Sequence, residues 1–197
     1  MAEASRPVLT AADFSDFYRA IHGLDPFPWQ DRLVETVLAE NRWPDLIDVP
    51  TGLGKTSTVD VAVFVAAATA HQPGPERLGR RRCFFVVDRR IVVDEAHEHA
   101  LRISRAVQEA EKGGDTGIVG RVAAGLRSYA PEARSGKLLE VTRMRGGTTW
   151  AAAWLDRPDR LGIVLGTVDQ IGSRLLFRGY GVSDRRRPID AALVGTD

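Results

Sequence analysis

The stretch from Leu46 to Ser57, LIDVPTGLGKTS, constrains this chain more than any other. Leu46, Ile47 and Val49, interrupted only by Asp48, predict a short buried strand, and the apolar segment Val59 to Ala70 predicts a helix. Between them a Gly-rich turn leads into Lys55, Thr56 and Ser57, which open the helix. This order makes a phosphate cradle. Gly52 and Gly54 let the backbone bend so that its N–H groups face one point, and the helix adds its positive N-terminal end there. Lys55 then reaches terminal phosphates while the Thr56 hydroxyl holds a magnesium ion, so the expected ligand is ATP with Mg2+. Thr51, Gly52, Leu53, Gly54, Lys55, Thr56 and Ser57 are the expected nucleotide-binding set, with Lys55 and Thr56 as its catalytic members.

The basic residues support this assignment. Of 27 in the chain, only Lys55, Lys112 and Lys137 are lysine, so a charge that merely has to be solvated is nearly always Arg here. A phosphate loop needs a slim point charge that fits between phosphates, which Arg does not supply. Val49 occupies the first position of the strict G-x-x-x-x-G-K-T pattern, and the turn is carried instead by Pro50, Gly52 and Gly54.

At 197 residues the chain can bury one good core with a short appendage. Its net charge of +1 means that any nucleic-acid surface must be a local patch. The single Cys83, inside an apolar run, predicts a packed thiol and a reducing compartment. The longest apolar run, Val61 to Ala70, is too short to span a bilayer, and the expected location is the cytoplasm.

Upstream of the loop, Thr10 with Asp13 predicts a capping box, and Phe14, Phe17, Tyr18 and Ile21 recur at helical spacing until Gly23. A second helix carries Leu33, Val34, Val37 and Leu38, with Phe27, Trp29 and Gln30 at its start. Alone, Gln30 reads as a surface residue. Coupled to the loop, its amide offers the donor and acceptor that an adenine edge requires.

Downstream, His71 to Arg82 predicts an exposed loop, and Cys83 to Val87 a buried strand. A helix follows with Val92, Ala96, Ala100, Ile103 and Val107 along one stripe. Asp94 to His97 spells DEAH, a known ATPase label, but the tetrad falls inside this stripe. A magnesium-binding Asp belongs at the end of a strand, and only Asp88, Arg89 and Arg90 separate the preceding strand from Ile91, so the tetrad reads as a decoy. His97 and His99, two apart on a helix, read as solvent-facing side chains and not as a metal pair. Ile118 to Tyr129 predicts another helix, Leu138 to Met144 and Leu161 to Gly166 further strands, and Thr167 to Phe177 a helix. Trp150 and Trp154 fall at core spacing. After the charged Asp184 to Arg187, the apolar Ala191 to Val194 reads as the start of a strand.

Three strands thus end in polar or basic groups: Asp88-Arg89-Arg90, Arg145-Gly146-Gly147 and Thr167 to Gln170. In an open parallel sheet all strand C-termini share the ligand-binding edge. Arg, Gly N–H and Thr hydroxyl are usual contacts to a phosphodiester backbone, so single-stranded DNA is the expected partner.

Together, Phe27-Pro28-Trp29-Gln30, VPTGLGKT, FFVVDRRIVVDEA, MRGG and GTVDQIGSRLLFRGYG resemble the first RecA-like domain of superfamily two helicases. The chain is most similar to the CRISPR-associated helicase-nuclease Cas three of type I systems, in its I-U or I-G variety. The resemblance covers residues 27–197 and implies an α/β P-loop NTPase domain, a mostly parallel sheet with helices on both faces, after a helical extension over 1–26. It implies Gln30 as the adenine-sensing residue, Arg89 and Arg90 in the Ia element, Arg145, Gly146 and Gly147 in Ib, and Thr167 with Gln170 in Ic on DNA. It further implies a Cascade-like CRISPR effector as partner, and a helicase fragment whose true DEAH strand, second RecA domain and nuclease lie elsewhere. The alternatives are a non-hydrolytic nucleotide- and DNA-binding module, another superfamily two translocase, or a small-molecule kinase.

Overall fold

A computed structural model describes residues 8–129, 136–144, 160–179 and 181–195. Three segments form strands: the apolar β1 (Arg82–Val87) and β3 (Gly162–Thr167), and the alternating β2 (Glu140–Met144). β3 is buried along most of its length, whereas β1, expected to be buried, is half-buried over Cys83 to Phe85 and exposed at Val86. The strands make a three-stranded parallel sheet in the order β1-β3-β2, with Val87 opposite Thr167 and Met144 opposite Gly166. The chain is therefore α/β. It divides into two compact units, one of residues 1–79 with 110–128 and one of 80–109 with 129–197.

The first unit is helical: α1 (Asp13–His22), α2 (Pro28–Glu40), α3 (Thr58–Thr69) and, later in the chain, a helix over Ile118–Ser128. The Asp13 carboxylate accepts from both the N–H and the hydroxyl of Thr10 at 2.8 Å, and Gly23, at φ 70°, ends α1 as its spacing predicts. α3 is buried nearly all round, from Val59 through Phe64 to Thr69, as a helix apolar on every side must be. Phe14 and Phe17 of α1 pack on Phe64 with ring centroids at 5.4 and 5.7 Å. The segment between α3 and β1 is largely exposed, as its composition predicts, but it is anchored near its end. Gly79 is buried, a Cβ there would lie 2.2 Å from the Ala66 Cα, and the Leu78 carbonyl accepts from the Trp43 indole.

In the second unit, alternation along the strands assigns Phe84, Val164 and Met144 to one face of the sheet. Ile171 packs there with Leu193 and Val194, residues of two further helices. Gly166 allows that approach, since a Cβ on it would meet Met144 at 3.2 Å and Ile171 at 3.3 Å. Arg143, of opposite parity, bonds to Asp94 on α4 (Arg90–Gly113), so a helix lies on this face too. Ser104 of α4 donates to the Leu139 carbonyl and Gln108 accepts from the Leu138 N–H, tying α4 to the entry of β2. Cys83 is half-buried, and burial of its thiol pushes its pKa up to about 11.

In chain order the helix over Ile118–Ser128 is α5, Val168–Leu175 is α6 and Arg187–Gly195 is α7. Two expectations fail. Residues 46–49 form no strand: Leu46 is 80% exposed, Ile47 is exposed too, and no described residue pairs with the segment. A four-residue run between Pro44 and Pro50 has little ladder of its own, and a strand exists only where a partner supplies the other half of its hydrogen bonds. Ala191 to Val194 lies in helix α7, not in a strand. Pro188 and Asp190 in its first turn are helix-starting residues, and Ala191 and Ala192 continue it. Among the described residues no helix is long and apolar enough to cross a membrane.

Candidate functional site

The Gly-rich loop expected to cradle phosphate belongs to the helical unit. Gly52 and Gly54 take φ of 85° and 68°, the left-handed conformation that their place in the motif requires. Lys55, Thr56 and Ser57 form a short 3-10 turn that runs into α3, with the Ser57 N–H bonded to the Gly54 carbonyl at 3.0 Å. Lys55 is exposed and has no ion-pair partner among the described residues, Thr56 is half-buried, and Thr51, Gly52 and Leu53 are exposed.

The loop is braced from behind by α2. The Trp29 indole donates to the Leu53 carbonyl at 2.8 Å, and Gln30 Nε2 donates to the Gly54 carbonyl at 3.4 Å. Gln30 Oε1 accepts from the Phe27 N–H at 3.0 Å, which closes the helix start. Gln30 is wholly buried, so it is not a surface glutamine, and its amide is directed to the loop backbone. A Cβ on Gly54 would lie 3.2 Å from the Phe27 ring, whereas one on Gly52 would stand in open space. One side of the turn is thus packed and the other is free.

This arrangement fits a nucleoside triphosphate with magnesium. The free side carries the glycine turn and the exposed ammonium of Lys55, and the Thr56 hydroxyl stands at the head of an apolar helix. Sequence reasoning missed the support from α1. The hydroxyls of Tyr18 and Ser57 share a hydrogen bond at 3.1 Å, and His22 Nε2 lies 2.7 Å from Asp60 Oδ1 with both side chains buried. Tyr18 occupies an apolar position of the α1 stripe, and only its hydroxyl hinted at a partner.

The expected nucleic-acid residues lie in the sheet-bearing unit. The Val87–Thr167 pairing brings Asp88, Arg89 and Arg90 to the same C-terminal edge as Thr167. Arg89 and Arg90 are exposed, with Arg89 3.8 Å from Asp88. Thr167 and Gln170 are each only 8% exposed, and the Gln170 carbonyl accepts from Arg174 at 2.8 Å. Arg174 is itself buried 3.6 Å from Asp190; burial lowers the pKa of the arginine and raises that of the acid. Arg145, Gly146 and Gly147, like Trp150 and Trp154, lie outside the described residues.

The DEAH tetrad is helical, as its spacing predicts. Asp94 accepts from Arg143 at 3.0 Å, and the buried positions of α4 are Val93, Ala96, Ala100, Ile103, Ser104 and Val107, with Val93 in place of the expected Val92. His97 is not the solvent-facing residue expected: its side chain is 15% exposed, and burial together with the Arg143 charge lowers its pKa. Comparison of the chain with family models, with curated proteins and with solved structures gives no match.

Proposed function

We propose that the chain is the ATP-binding motor domain of an ATP-dependent DNA helicase or translocase of the P-loop, RecA-like class, acting in type I CRISPR interference with a Cascade-like effector as partner. The observation that carries the nucleotide part is the loop itself: left-handed Gly52 and Gly54, an exposed Lys55 with no ion-pair partner among the described residues, and a turn packed by Phe27 at Gly54 and open at Gly52. Lys55 would hold the terminal phosphates and Thr56 the magnesium ion, which supplies charge neutralisation when bound. Gln30 acts on the nucleotide through the loop it holds. Arg89 and Arg90 at the sheet edge suit a phosphodiester backbone and read no sequence, which supports single-stranded DNA as the track. The helicase and CRISPR assignments rest on the resemblance of the motifs.

Titration with a fluorescent ATP analogue and Mg2+ tests the first step. Lys55→Ala weakens binding by about 1.5 to 3 kcal/mol, the worth of charge-assisted hydrogen bonds. Equal affinity of the two proteins refutes the site. A second reading, nucleotide and DNA binding without turnover, is favoured by the engagement of Asp94 with Arg143 on a helix. Single-stranded DNA that stimulates ATP hydrolysis selects the motor; binding of both ligands without turnover selects the module.

A further inference from the structure

The contact between α1 and α3 is built in two different ways along its length. Away from the loop it is apolar, Phe14 and Phe17 against Phe64. At the loop end it is polar: Tyr18 and His22, one turn apart on α1, meet Ser57 and Asp60, one turn apart where the loop becomes α3. The Tyr18 and His22 rings are in contact, tilted by 44° with centroids 4.4 Å apart, which joins the two hydrogen-bonded pairs side by side. Ser57 is 4% exposed and Asp60 is wholly buried. Docking α1 requires no such group, since an apolar pair does it without removing a hydroxyl and a carboxylate from water. What the polar pair adds is direction. Ser57 is covalently next to Thr56, in the same single turn, and a hydrogen bond on Ser57 fixes the rotation of that turn.

We propose that Tyr18 is a positioning residue for the phosphate loop: by holding Ser57 it sets the turn after Lys55, and with it the direction of the Thr56 hydroxyl toward magnesium. The inference rests on the nucleotide-binding reading and adds to it a control point on α1. Its effect belongs to the metal-dependent part of binding. Backbone N–H groups of the loop and the Lys55 ammonium do not depend on the Thr56 rotamer.

Tyr18→Phe keeps the ring and removes the hydroxyl. With the whole chain and a fluorescent ATP analogue, affinity in the presence of Mg2+ falls about two- to tenfold, the worth of one hydrogen bond, while affinity in EDTA changes by less than about twofold. Ser57→Ala produces the same metal-dependent loss, and adding Tyr18→Phe to it costs nothing more, because the two residues act through one bond. Unchanged Mg2+-dependent affinity in Tyr18→Phe, equal losses with and without metal, or additive losses in the double variant each overturn the proposal while leaving the nucleotide site standing. A natural chain that binds no nucleotide overturns both.

Discussion

Single residues separate into those whose role is local and those whose partner lies far along the chain. Asp13 is both: it accepts from Thr10 three residues earlier and from Arg121 at 2.8 Å, 108 residues on. Burial alone would raise its pKa, but the bonds from Arg121 and Thr10 outweigh burial and hold it below the ordinary 3.8. A carboxyl whose folded pKa is depressed stabilises the fold fully above the unfolded value, and that contribution disappears as pH falls through the folded value. Stability therefore declines below about pH 4. Arg121→Ala, expected to cost about 1 to 2 kcal/mol for a pair between the exposed and buried limits, flattens that decline. Urea midpoints measured from pH 6 down to pH 2.5 check it; an unchanged slope in the variant would exclude the pair as its source. The Thr10 half of this site was legible in the sequence, because a spacing of three puts the two residues in reach of each other; the full capping box is not formed, since the Thr10 hydroxyl donates to Asp13 and no side chain caps α1. The Arg121 half was not, because nothing in the neighbourhood of either residue encodes the other.

At the scale of elements, close approach decides what a glycine is for. Gly125 of α5 sits where a Cβ would be 2.6 Å from the Ala67 carbonyl oxygen of α3, whereas Gly172 of α6 faces open space. Ala in a helix interior normally gains up to about 1 kcal/mol over Gly. Gly172→Ala should show that gain. Gly125→Ala should instead lose about 1 to 2 kcal/mol, since overpacking reverses the sign. Chemical denaturation of the two variants checks the contrast, and stabilisation by both would mean that α3 and α5 are not in close contact. Strands β1, β2 and β3 were legible to within a residue or two, because a short apolar run, in β1 and β3, or strict alternation, in β2, marks itself. Residues 46–49 carry the same signal in weaker form and are not a strand, because ladder pairing is a property of two segments. The helix α7 was missed for a different reason: its apolar residues were weighed and its starting signals, Pro188 and Asp190, were not.

For the whole molecule, the net charge of +1 leaves no general field for a polyanion, so the proposed binding of single-stranded DNA would have to come from a few local contacts. If Arg89 and Arg90 each neutralise one phosphate, replacing both by Ala lowers the slope of log affinity against log salt by about 1.4, at about 0.7 per contact. Anisotropy titrations over a range of KCl concentrations measure that slope, and an identical slope in the double variant removes the β1 edge from the interface. The sequence by itself determined the elements that depend on neighbours within a turn or two: the left-handed Gly52 and Gly54, the end of α1 at Gly23, the helical setting of the DEAH tetrad and the strands. Only the tertiary structure decided which strands pair, that Trp29, Gln30 and Tyr18 converge on the loop from two helices, and that Arg121 serves Asp13. Spacing is written in the chain because bond geometry is fixed. The choice of a distant partner is settled by which surfaces can be removed from water together.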